Sequence, residues 1–133
     1  MRKGFTLIEL LIVLAVIAAL MAIVTPIALN AVAQARATQV ASNMRNIKSA
    51  AESYVNIERP TGNKALSDLI TSGYLSTNPG TNYSAAITPG STQVTITVTF
   101  SGNVDKDKVV NILPEATYTG STLKLTSTVA RWW

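Results

Sequence analysis

From Leu10 to Ala35 the chain carries no charged side chain. Such a run exceeds the roughly 20 apolar residues that a helix needs to cross a bilayer. A small sheet domain cannot wrap it, so it needs lipid or other protein. Arg2 and Lys3 stand just before it. Basic residues at one end predict a cytoplasmic N-terminal side, with the rest of the chain outside. Three readings fit the run. It is a cleaved secretory signal with Ala31-Val32-Ala33 as small-residue cleavage site, a plain membrane anchor, or an anchor that also serves assembly. Glu9 bears on the choice. A charged carboxylate in an apolar span costs roughly 2.5–3.5 kcal/mol near the bilayer centre and less near the interface. A signal or a plain anchor has no use for that cost, unless Glu9 lies shallow enough to reach water.

The neighbours of Glu9 narrow the reading. Arg2-Lys3-Gly4, followed by Phe5-Thr6-Leu7-Ile8-Glu9-Leu10-Leu11-Ile12-Val13, closely resembles the class III signal of type IV pilins and pseudopilins. The resemblance covers about the first 30 residues, including Pro26. It implies cleavage by a prepilin peptidase between Gly4 and Phe5, and methylation of the new Phe5 amine. It also implies that Glu9 neutralises the Phe5 amine of a neighbouring subunit in a fibre. The physics agrees, since a buried carboxylate needs a cation and processing creates one close by in sequence. A leader of residues 1–4 is short for that family. The resemblance further implies a bacterial filament subunit: a helical homo-oligomer whose precursor sits in the inner membrane, is handled by pilus assembly machinery, and ends at the cell surface. Motility, adhesion and DNA uptake all stay open.

Beyond the apolar run the helix continues. Val40, Met44, Ile47, Ala51 and Tyr54 recur at spacings of four, three, four and three, which marks one helical face for packing on a sheet. Arg59-Pro60 and Gly62 end the helix. From Phe5 it would hold roughly 54 residues and measure about 80 Å at 1.5 Å per residue. Pro26 lies inside it, so a break is expected there, as a kink or local melting, with Thr25 helping to satisfy a freed carbonyl. In pilins this region unwinds in some filaments. A simple membrane-helix kink is the alternative.

The rest reads as a small antiparallel sheet domain. Leu66, Leu69 and Ile70 before Gly73 suggest a short helix. Pro79-Gly80 and Pro89-Gly90 mark turns. Tyr83, Ala85 and Ile87 alternate weakly; Val94, Ile96, Val98 and Phe100 alternate strictly with threonines, which predicts a half-buried strand. Asp105 can cap a helix that Pro114 stops, and Gly120-Ser121 is a two-residue hairpin turn between Thr117–Thr119 and Thr122–Val129. The expected class is α+β, a long N-terminal helix on an antiparallel sheet, which is similar to the pilin architecture. The segments are a leader at 1–4, a membrane and assembly half at 5–35, an amphipathic half at 36–59 and a globular region at 60–133.

Composition removes other functions. Without Cys there is no disulfide, thiol nucleophile or thiolate metal site, and without His the commonest general base and ligand is missing. No P-loop or metal-ligand cluster occurs, so no enzyme, cofactor or metal is expected. The formal charge of +4 is half due to Arg2 and Lys3. From Pro60 onward Lys64, Lys106, Lys108, Lys124 and Arg131 face Asp68, Asp105, Asp107 and Glu115. That balance gives DNA weak support as a partner. A pilus subunit is favoured over a pseudopilin of type II secretion or competence, because the pseudopilin calcium signature is not evident. Asp105-Lys106-Asp107 reads as a helix start rather than a calcium loop. A membrane-anchored extracytoplasmic binding module is the rival from another class. Trp132 and Trp133 either close the last strand or contact a neighbour or a surface.

Overall fold

The computed structural model describes Gly4 and residues 6–133. The expectations for Arg2, Lys3 and Phe5 therefore lie outside the described residues. The elements are α1 (Leu7–Glu58), β1 (Lys64–Ala65), α2 (Leu66–Thr71), β2 (Tyr83–Pro89), β3 (Gln93–Phe100), α3 (Lys106–Ile112), β4 (Ala116–Thr119) and β5 (Thr122–Ala130). The fold is α+β. The chain divides into two compact units, Met1–Gln34 and Ala35–Trp133.

In the first unit α1 is apolar on all sides. Leu10, Val13, Val16, Ile17 and Leu20 are each more than half exposed. Helices hydrophobic around their whole circumference belong in a membrane or a large core, and this one is long and apolar enough to cross a bilayer.

In the second unit α1 becomes amphipathic. Val40, Met44, Ile47, Ala51 and Tyr54 are buried in one core cluster. Ala37, Ala41 and Val55 are buried beside them. These residues were not part of the expected stripe; they widen the apolar face that α1 turns to the core. The sheet has five antiparallel strands in the order β1-β2-β3-β5-β4. Strand alternation sends Ala85 and Ile87 of β2, Val94, Ile96, Val98 and Phe100 of β3, and Leu123 and Leu125 of β5 into the core. Fully burying such a side chain contributes about 1.5–3 kcal/mol, so the core carries a domain that has no disulfide.

Local chemistry sets the turns. Gly90 joins β2 to β3, and its N–H donates to the Gln93 carbonyl at 2.8 Å. A Cβ there would lie 2.8 Å from that same oxygen, so glycine is required. Gly120 has φ 62° in the β4–β5 hairpin, whose closing pair is Thr119 and Thr122. Asp105 caps α3 by accepting from the Lys108 N–H at 3.3 Å. Strand β1 was not expected: two residues show no period, and only pairing of Lys64 with Ile87 and Ala65 with Ala86 makes them a strand.

Polar bonds tie the flank of α1 to the other elements. Arg45 donates to the Ile112 carbonyl at 2.7 Å, and Lys48 to Glu115 at 2.7 Å. The Ser127 hydroxyl donates to Glu52 at 2.9 Å. The Lys48 ammonium holds the Glu115 carboxyl below its ordinary range. Both groups are accessible to water, so the pair orients more than it stabilises.

Candidate functional site

Glu9 sits in the first turn of α1. Its Oε2 accepts from the Thr6 N–H at 3.0 Å, while the Thr6 Oγ1 accepts from the Glu9 N–H at 3.2 Å. With α1 starting at Leu7, Thr6 is the N-cap and Glu9 the third helical residue, so the pair forms a reciprocal capping box. The Leu10 N–H closes the first turn on the Thr6 carbonyl at 3.2 Å. Two amide groups that a helix start leaves without partners are thereby satisfied. A carboxylate at this end also meets the positive pole of the helix, a gain of about 0.3–1 kcal/mol.

Within its own chain the Glu9 carboxylate already has a hydrogen-bond donor, the Thr6 N–H. The signal was in the sequence, because Thr-x-x-Glu ahead of an apolar run is the capping-box pattern. The Thr6 amide held by Glu9 belongs to the residue after Phe5. Glu9 is therefore positioned one residue from the nitrogen that cleavage after Gly4 would convert to an ammonium. Gly4 itself is exposed, with open space where a side chain would stand.

Pro26 does not melt the helix in the single chain. The helix is unbroken from Leu7 to Glu58 with Pro26 inside it. Proline deprives only the Ala22 carbonyl of its usual partner, and long helical runs on both sides hold the backbone. The Thr25 hydroxyl does not take over that carbonyl; it donates to the Met21 oxygen at 2.8 Å.

The expected residues thus fall into two sets. Glu9 and Pro26 lie in the first unit, and the Val40–Tyr54 stripe lies in the second. Among the described residues no group of three or more Asp, Glu, His or Cys side chains is arranged to hold a metal ion.

Residues 1–25 match the prokaryotic N-terminal methylation motif. That motif is typical of the class III signal peptides of type IV pilins and pseudopilins. The match includes Gly4, Phe5, Thr6 and Glu9 and stops one residue before Pro26. No curated protein and no solved structure matches the chain.

Proposed function

We propose that the protein is a structural subunit, a pilin, of a bacterial type IV pilus. The supporting observation is the coincidence of the methylation motif with a helix that is apolar on every side over the same residues. In the precursor that surface is covered by the lipid of the inner membrane, with residues 1–4 on the cytoplasmic side. A prepilin peptidase removes Gly4 and what precedes it, and Phe5 is methylated. The assembly machinery then transfers the chain to a homo-oligomeric fibre, where helices of other copies replace lipid. Residues 5–35 serve membrane and fibre core, residues 36–59 carry the sheet domain, and residues 60–133 face outward at the cell surface. Glu9 offsets the positive charge of a Phe5 amine during this transfer. The preference for a pilus over a secretion or competence pseudopilin rests on the absence of a calcium-loop pattern in the sequence. The role is architectural, not catalytic.

Processing gives the direct test. Intact-mass measurement of the cellular protein is expected to show a chain starting at Phe5 with one added methyl group. A mature chain starting at Gln34 would identify an ordinary secretory signal and end this reading.

A second expected outcome concerns Pro26. The isolated helix tolerates it at the loss of one hydrogen bond, so this is the weakest point of the apolar half. In the assembled fibre, packing against several neighbours is expected to remove regular helix around Thr25-Pro26. A fibre reconstruction with continuous straight helix from Phe5 to Tyr54 refutes this.

A further inference from the structure

Helix α1 ends at Glu58, and the next residue holds an unusual backbone. Arg59 has φ 51°, the one positive φ of a non-glycine among the described residues. Side chains with a Cβ adopt that region at a cost, and glycine normally fills it at a helix end. The following Pro60 adds restriction. This strained turn lays the Arg59 guanidinium over the ring of Trp132, 4.1 Å from its centroid. Trp132 nevertheless stays 60% exposed. The Trp132 and Trp133 rings stand nearly perpendicular with centroids 5.8 Å apart, and the Arg131 guanidinium lies 5.8 Å from the Trp133 ring. Arg131 is steadied by its bond to the Gly90 carbonyl at 2.8 Å.

Among the described residues neither arginine has an acidic partner. The ion pairs among the described residues are those of Lys48 with Glu52 and Glu115. The indole N–H of Trp133 is buried without an acceptor, which costs stability in the free domain. Two unneutralised guanidinium groups and an exposed indole thus share one end of the sheet domain. Charges nearly balance along residues 60–133, and Arg59, just outside that stretch, joins the cluster only through folding.

We propose that this cluster, Arg59, Arg131, Trp132 and Trp133, binds single-stranded nucleic acid, with a base stacked on Trp132 and phosphates held by the two arginines. The guanidinium fork suits phosphate oxygens, and an exposed indole beside a cation is a platform for flat π systems. A nucleic acid strand offers both at the spacing of one nucleotide, and its bases are free to stack only when unpaired. An acidic polysaccharide brings charge without a π face. A folded protein partner needs a patch of about 800 Å² per side, far beyond one exposed indole and two side chains. The inference does not depend on the pilin reading.

Trp132 and Trp133 are the only tryptophans in the chain, so intrinsic emission reports this site alone. The test titrates the full-length protein, in non-ionic detergent, with a twelve-residue oligothymidine. Saturable quenching is expected. Two phosphate contacts predict that log K falls with log salt at a slope of about −1.4, at ~0.7 per contact. Trp132→Ala, followed by anisotropy of a labelled oligothymidine, is expected to weaken binding about tenfold. Arg59→Gly suits the positive φ and keeps the turn. It is expected to cut the slope to about −0.7 without lowering the melting temperature. The proposal is overturned by absence of quenching at millimolar oligonucleotide, or by equal affinity for a twelve-base-pair duplex. It is equally overturned if dextran sulfate at matched charge competes as well, or if Trp132→Ala binds like wild type. An emission shift that depends on protein concentration alone would assign the cluster to self-association instead.

Discussion

Glu9→Ala is expected to leave membrane insertion and cleavage after Gly4 intact while cutting the yield of shed filaments at least tenfold. Under the proposed processing, removal of Gly4 leaves an ammonium on Phe5, next in sequence to an apolar run. Near the headgroups of a membrane that ammonium and Glu9 are both solvated. In a fibre core both lose water, and an unpaired buried charge costs several kcal/mol. In the proposed fibre, pairing them between copies would offset much of that cost and set the register of each incoming subunit. The capping box adds a second role that alanine also destroys, since Glu9 holds the Thr6 N–H at 3.0 Å. Two further variants separate the roles. Glu9→Gln keeps an acceptor for that amide, as capping boxes accept Glu or Gln, but loses the charge. It is expected to assemble nearly as poorly as Glu9→Ala. Thr6→Ala keeps the charge and removes the other half of the box, a loss of about 0.5–2 kcal/mol at the helix start. It is expected to assemble better than either. Wild-type filament levels with Glu9→Gln would show that Glu9 matters for capping and that charge pairing is wrong.

The largest effect on stability is expected at the seam between α1 and the sheet. Ile47→Ala removes a side chain that is fully buried in the core cluster. Truncations of this kind cost about 2–5 kcal/mol, against a total stability of about 5–15 kcal/mol for an ordinary domain. At about 4–8 °C per kcal/mol for a domain of 60–100 residues, the melting temperature of the detergent-solubilised chain falls by roughly 8–40 °C. The higher helix propensity of alanine recovers only a few tenths of a kcal/mol. Ile57→Ala is the control, because Ile57 lies on the same helix but is 65% exposed. Its melting temperature is expected to stay within about 3 °C of wild type. Equal melting of the two variants would mean that α1 packing does not hold the sheet domain together.

Much of this molecule is written in patterns shorter than one element. The apolar run marks the first half of α1, and the spacing of Val40, Met44, Ile47, Ala51 and Tyr54 marks its second half. The valine–threonine alternation of β3 and the Gly120-Ser121 turn mark the strands. Such features are legible because burial follows the local period of a helix or strand. Thr6 and Glu9 were equally legible as a capping box, since their bonds span three residues.

Folding alone decides what distant residues do to each other. Strand order places β5 between β3 and β4, and no local period encodes which strand is a neighbour. Strand β1 exists only because β2 pairs with it. Helix α1 continues through Pro26, where the missing N–H removes a single bond from a helix that is long on both sides. The contact of Arg59 with Trp132 needs the end of α1 and the residues after β5 to arrive at one place. Separation along the chain hides such a contact, since nothing within a few residues of either partner records the other.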